Sequence, residues 1–156
     1  MREFKPISVY FMPDGLQAVV FLYPEDGVKG NEDLLTIVIG FFEGTFLLTH
    51  LYKETPPRPM THQLIINIMK QFGANIAKVV ITGLKNGIFY SNIHCAFQGQ
   101  QHVLDSRPSD AMVLAAITGA PIYIEEEVIR KHKNHVQFGR LDEVLKEIDP
   151  AKMPKM

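Results

Sequence analysis

Apolar positions along the chain form short runs separated by turn residues, and elsewhere they recur at spacings of three and four residues. Short bounded runs are typical of strands, and the longer spacing is typical of helices packed on one side. The pattern predicts strands over residues 8–12, 17–23, 34–39, 77–84, 88–97, 101–104 and 121–124. It predicts helices over residues 41–54, 61–72, 108–118, 125–132 and 141–148.

Turn residues indicate how several strands connect. Asn86 and Gly87 separate two predicted strands, and Asn-Gly is the dipeptide most typical of a two-residue hairpin turn. Gly99 indicates a second hairpin, so that three antiparallel strands lead to Asp105. The run 34–39 is nearly all apolar, which favours a central strand.

Two helices carry distinct predictions about burial. Residues 111–117 are all apolar, so this helix has no face suited to water and should be covered on most sides. Pro108 fits its first position and Gly119 its end. In the helix after the Pro-rich connector 55–60, we expect Thr61 as the N-cap. Its expected buried stripe consists of Leu64, Ile65, Ile68, Met69 and Phe72.

Composition indicates a globular protein: 156 residues, 46% hydrophobic and 21% charged, with one cysteine and a net charge of −1. The length suits one domain. With the strands and helices predicted above, we expect a single α+β domain over residues 1–135, followed by a C-terminal helix and loose tail over 136–156. The expected sheet is mixed and largely antiparallel, with β-hairpins, and packs against two to three buried helices. No signal-like or membrane-spanning run is present, so we expect a cytoplasmic protein without a membrane partner. The near-neutral charge argues against tight nucleic-acid binding.

One polar set lies at element ends around the predicted core: Glu43, His62, Asp105, Arg107 and Asp110. Carboxylate oxygens suit hard divalent cations such as Mg²⁺, and phosphodiester hydrolysis uses a metal, a base and a cation on the phosphate. A helix cap with a salt bridge explains the same residues, and physical chemistry alone favours that simpler interpretation. Spacing does not establish that Glu43 and His62 approach Asp105.

The motifs resemble those of a known family, the bacterial and plant bifunctional nuclease domain. The strongest pieces are Asp-Ser-Arg-Pro-Ser-Asp-Ala at 105–111 and Thr-Gly-Ala-Pro-Ile-Tyr at 118–123. Further blocks match in order at 39–43, 57–62 and 80–84. Phe41, Gly44 and Ser106 depart from the family pattern, and none of these changes removes a candidate catalytic side chain.

The resemblance implies a compact α+β domain that self-associates as a homodimer or higher homo-oligomer, and a nuclease acting on DNA and RNA. Our hypothesis assigns Mg²⁺ or Mn²⁺ to Glu43, Asp105 and Asp110. Arg107 would grip phosphate, with Arg58 and Ser109 as further substrate contacts, and His62 would act as base or acid.

Two other interpretations stay open. In the first, the chain is a non-catalytic interaction or regulatory module, in which the Asp-Ser-Arg-Pro-Ser-Asp motif locks a helix to the sheet. The near-neutral charge favours it. In the second, the chain binds a small ligand, with the Pro-rich connector as one wall of the site.

Overall fold

A computed structural model describes residues 1–27 and 34–135. The strands are β1 (Arg2–Phe11), β2 (Gln17–Pro24), β3 (Leu35–Gly40), β4 (Asn75–Lys85), β5 (Ile88–Phe97), β6 (Gln100–Ser106) and β7 (Ile122–Ile124). The helices are α1 (Phe41–Leu51), α2 (Thr61–Gln71), α3 (Pro108–Thr118) and α4 (Glu126–His135). The helix predicted over 141–148 and the predicted tail lie outside the described residues.

All seven described strands form one sheet in the order β3-β2-β1-β7-β4-β5-β6. Two antiparallel meanders, β1 to β3 and β4 to β6, are joined through the short β7, which is antiparallel to β1 and parallel to β4. The mixed, largely antiparallel α+β prediction is confirmed. Asn86 and Gly87 have φ values of 50° and 77°, as a type I′ hairpin turn requires.

The prediction of a central third strand is wrong, because β3 lies at one edge of the sheet. Leu35, Ile37 and Ile39 point to the core, while Val38 between them is 55% exposed. The run therefore alternates in burial although it is almost uniformly apolar in sequence. An edge strand with one covered face satisfies that pattern as well as a central one.

Helix α3 occupies the interior, as its sequence predicts. Ala111, Met112 and Val113 are each 0% exposed, and α3 packs against α1, α2, β4 and β5. Gly119 ends the helix with a φ of 70°, a left-handed conformation that glycine adopts without strain. The helix therefore provides a fixed base for the polar residues at its N-terminus.

The buried stripe predicted on α2 is wrong. Leu64, Ile68 and Phe72 are 52%, 49% and 71% exposed, while the buried residues are His62 and Ile66. Ile65 is also exposed, at 39%, and Met69 is partly buried against the core. The N-cap is Met60, with no side-chain cap bond, and Thr61 is the first helical residue. Within the described ranges, no helix is long and apolar enough to cross a bilayer.

Candidate functional site

Arg107 stands at the junction between β6 and α3, where the backbone is extended (φ −70°, ψ 142°) and Pro108 begins the helix. Its Nε donates to Oδ2 of Asp110 at 2.7 Å, and its Nη2 donates to Oδ1 at 2.9 Å. The three-residue spacing of the motif creates this bidentate pair. The sequence Arg-Pro-Ser-Asp therefore fixes the guanidinium locally.

Glu43 reaches the same guanidinium from α1. Its Oε1 accepts a hydrogen bond from Arg107 Nη2 at 2.9 Å across 64 positions of sequence. The carboxylate lies against Gly40, the N-cap of α1, and a Cβ on Gly40 would overlap Glu43 Oε2. The absence of a side chain at Gly40 thus leaves room for the conformation that bonds Arg107.

His62 joins the group from the first turn of α2. Its Nε2 lies 3.0 Å from Asp110 Oδ1, and because the ionised carboxylate only accepts, Nε2 carries the proton. The imidazole packs edge to face on Phe46, with ring centres 5.5 Å apart. Nδ1 is buried and has no hydrogen-bond partner among the described residues. Asp110 therefore holds the ring in one tautomer and one orientation.

The electrostatics keep Asp110 ionised. Burial raises the pKa of its carboxyl, but hydrogen bonds from Arg107 and His62 and the charge of Arg107 outweigh burial and hold the pKa below its ordinary value. The hydrogen bond to Asp110, its charge and the weaker contribution of Glu43 raise the pKa of Arg107 despite some burial. An ion pair is thus present at neutral pH.

Arg107 combines anchoring with access to solvent. Its side chain is 67% exposed, whereas those of Glu43, Asp110 and His62 are 17%, 28% and 9% exposed. Its hydrogen bonds within the described residues use Nε and Nη2, and neither N–H of Nη1 takes part. A planar cation held on one edge and open on the other can bind an anion such as phosphate.

The first turns of three helices meet at the cluster of Glu43, His62, Arg107 and Asp110, the Arg107 group. Glu43 is the third residue of α1, His62 the second of α2 and Asp110 the third of α3. None of the three N-cap residues makes a side-chain cap hydrogen bond. Helix N-termini carry unpaired N–H groups and partial positive charge, which favour carboxylates and other anions.

The other predicted site residues make no side-chain hydrogen bond or ion pair with Arg107, Glu43, His62 or Asp110. Asp105 is exposed on β6 opposite Asn92, and its side chain makes no hydrogen bond or ion pair with the described residues. Ser109 is buried in the first turn of α3, and Arg58 is exposed on the Pro-rich connector.

The three predicted metal ligands are not gathered. Among the side chains that the structure describes (residues 1–27 and 34–133), no group of three or more His, Cys, Asp or Glu could hold a metal ion. Two of the predicted ligands, Glu43 and Asp110, are bonded to Arg107 instead, so this arrangement does not fit a three-carboxylate Mg²⁺ site.

A cavity of about 360 Å³ adjoins the group and is bordered by α1, the Pro-rich connector, α2 and α3. His62 belongs to both, because its ring lines the cavity and bonds Asp110. The sequence indicated only one wall, through its three prolines. The sequence did not indicate Phe46 or Val113 as lining residues, because their positions in the apolar pattern are those of ordinary core residues.

Comparison with known proteins gives consistent matches. The family model of the bifunctional nuclease domain matches residues 26–137. Uncharacterized protein Rv1829 of Mycobacterium tuberculosis is 30% identical over 129 residues, covering 83% of this chain and 74% of that protein. Bifunctional nuclease 1 of Oryza sativa subsp. indica is 26% identical over 102 residues, covering 64% of this chain and 31% of that protein.

Proposed function

Because the chain belongs to the bifunctional nuclease domain family, we propose that it is a nuclease that hydrolyses phosphodiester bonds in DNA, RNA or both with little sequence preference. The observation that carries the proposal is the state of Arg107. This largely exposed cation is fixed by two carboxylates, yet its Nη1 makes no hydrogen bond with the described residues.

In this proposal Arg107 binds the scissile phosphate through Nη1. Its other edge is already held by Asp110 and Glu43, so little side-chain freedom is lost when phosphate binds. A preplaced cation also stabilises the charge that develops on the phosphate oxygens during hydrolysis. Phosphate contact of this kind carries no sequence information, which agrees with loose sequence preference.

His62 is the proposed base or acid, with Asp110 orienting the ring as a carboxylate orients histidine in hydrolytic sites. Nε2 is occupied by Asp110 and Nδ1 is enclosed. Proton transfer at Nδ1 therefore requires a local movement that opens this atom to substrate. A requirement for Mg²⁺ or Mn²⁺ stays a prediction, although Glu43, Asp105 and Asp110 do not form a three-carboxylate site among the described residues. No step of the proposal depends on a metal.

Cleavage by purified protein tests the proposal. Single-stranded DNA and RNA are incubated with Mg²⁺, with Mn²⁺ and with EDTA, and initial rates are compared with those of Arg107→Ala. Loss of the phosphate-binding group should lower the rate by roughly 100-fold or more. The matched control is Arg130→Ala, which removes an exposed arginine of α4 and should cleave like wild type. Equal rates for wild type and Arg107→Ala would indicate a contaminating nuclease and refute the proposal.

A paired substitution within the motif separates two versions of the site. Asp110→Asn removes the carboxylate bonded to Arg107 and His62, whereas Asp105→Asn changes an exposed strand residue. A three-carboxylate metal site predicts that both variants lose cleavage. A site centred on Arg107 predicts that Asp110→Asn loses cleavage and that Asp105→Asn cleaves like wild type.

The second candidate is a non-catalytic interaction module. The ion pairs of Arg107 link the first turns of α1 and α3, which is a sufficient structural role for the motif. The exposed apolar residues of α2, including Leu64 and Ile68, favour a protein partner, and a second copy of this chain is our proposal for it. This reading predicts no cleavage and a concentration-dependent mass in sedimentation. It also predicts that Arg107→Ala lowers the free energy of unfolding, by up to about 1 kcal/mol for each ion pair lost because Arg107 is largely exposed.

A further inference from the structure

The cavity beside the Arg107 group has a deep part and an exposed rim. Val113 of α3 and His62 of α2 are almost fully buried and lie at its base. Lys53 and Arg58 are exposed and border its opening. Its volume of about 360 Å³ is near the lower end of the range for small-molecule sites, so it suits a single compact unit.

Its walls combine apolar and aromatic surface. Phe46 and the imidazole of His62 are in edge-to-face contact and both line the cavity, with Val113 and Ile117 supplied by α3. Pro56 and Pro59 on the connector restrict its backbone. Such a lining favours a flat ring, because rings bury much area and lose little conformational freedom on binding.

The charged lining residues favour an anion at the rim. Lys53 and Arg58 are cations, whereas Glu54 supplies one carboxylate. A ligand with a flat apolar ring and a negative group would satisfy both parts of the site. A nucleotide has that composition.

We propose that this cavity is a subsite for one nucleotide unit of a single-stranded nucleic acid, with its base beside Phe46 and His62 and its phosphate at Lys53 and Arg58. The inference rests on the proposed nuclease function and narrows its substrate class. A base can enter the cavity only when it is unstacked and unpaired, so single strands are bound in preference to duplexes. Because His62 lines the cavity and also bonds Asp110, the cavity adjoins the residues that hold Arg107, and a neighbouring phosphate of a strand seated there can approach Arg107.

Binding is measured without cleavage, by methyl NMR in the presence of EDTA. Adenosine 5′-monophosphate should shift the methyl resonances of Val113, Ile117 and Met60 through the ring current of the base, and Ile88 at a distant hairpin should not shift. Inorganic phosphate should leave the methyl resonances of these three lining residues unchanged. Equal shifts with phosphate would mean an anion site without a base pocket and would overturn the inference, as would no shift with millimolar nucleotide.

A matched pair of substitutions locates the effect. Thr49 lines the cavity, and Thr45 lies one turn earlier on α1 outside it; both donate from Oγ1 to the carbonyl four residues back at 2.9 Å. Thr49→Phe should fill the cavity and weaken nucleotide binding at least tenfold, while Thr45→Phe should bind like wild type. Equal affinity in both variants would overturn the inference. If Thr49→Phe does not fold, Arg58→Ala replaces it, with the expectation of weaker binding of nucleotide and unchanged binding of uncharged adenosine.

Failure of this inference is distinguishable from failure of the nuclease proposal. Nucleotide binding in the cavity without cleavage under any metal condition would retain the subsite and remove the enzyme. Cleavage with equal rates for wild type and a folded Thr49→Phe, and with equal rates on single and double strands, would retain the enzyme and remove the subsite.

Discussion

Gly40 offers a way to move one side chain of the site without replacing it. The residue has φ −68° and ψ 156°, a conformation that alanine adopts readily, so Gly40→Ala introduces no backbone strain. The added Cβ would overlap Oε2 of Glu43, which is the end of a flexible side chain. The carboxylate should therefore swing away and lose its hydrogen bond from Arg107.

The effect on stability should be small because its contributions oppose one another. Alanine reduces the freedom of the unfolded chain, worth about 0.4–1 kcal/mol in favour of folding. Alanine is a poorer N-cap than glycine, and the lost pair involves Arg107, which is largely exposed, so each of these costs up to about 1 kcal/mol. The free energy of unfolding should therefore fall by at most about 1.6 kcal/mol relative to wild type, which is at most about 6 °C in Tm.

Gly40→Ala should have a clearer effect on the rate of cleavage than on stability. If the bond between Glu43 and Arg107 contributes about 1 kcal/mol to phosphate binding in the transition state, kcat/KM should fall roughly fivefold. Glu43→Gln should change the rate in the same direction. The control is Gly83→Ala, whose Cβ would meet only ordinary contacts at 3.7 Å from Tyr90. Wild-type kcat/KM for Gly40→Ala, combined with a loss for Glu43→Gln, would refute the positioning role of Gly40.

Two further predictions concern the scaffold. Met112 is 0% exposed, so Met112→Ala should lower the free energy of unfolding by about 2–5 kcal/mol and Tm by roughly 5–15 °C. Leu104 is 52% exposed, so Leu104→Ala should change the free energy of unfolding by at most about 0.5 kcal/mol. Thermal and urea unfolding measure both changes. The lowered pKa of Asp110 means that its ionised form stabilises the fold fully above its ordinary pKa of about 4 and that this stabilisation is lost as the pH falls through the lower folded value. Urea unfolding between pH 2 and 5 should therefore depend less on pH in Asp110→Asn than in wild type, and equal slopes would contradict the ion-pair account.

The sequence predicted best those elements whose signals are local. Asn86-Gly87 determined a hairpin because few other sequences adopt two successive positive φ angles, and the structure contains that turn. The interior position of α3 followed from an unbroken apolar run, which leaves no face for water. Arg107 and Asp110 were predictable as a pair, because they lie three positions apart at the start of a helix.

The misplaced stripe of α2 has a different origin. Periodicity identifies an apolar face, but it does not say whether the face meets the core or solvent. In α2 the core contacts come from the side that carries His62 and Ile66, which the periodicity did not mark. The approach of Glu43 and His62 to Asp110 was equally beyond reach, because it depends on how α1 and α2 pack on α3.

The convergence of three helix N-termini bears on the near-neutral charge of the chain, which argued against nucleic-acid binding. A net charge of −1 describes the whole surface, whereas phosphate responds to the local field. Each helix N-terminus contributes the equivalent of roughly half a positive charge. Three such N-termini and Arg107 lie close to the carboxylates of Glu43 and Asp110. The backbone thus offsets much of the negative charge of Glu43 and Asp110. Phosphate can therefore be attracted to Arg107 at short range without a basic surface, and the binding that results should be weak and confined to this site.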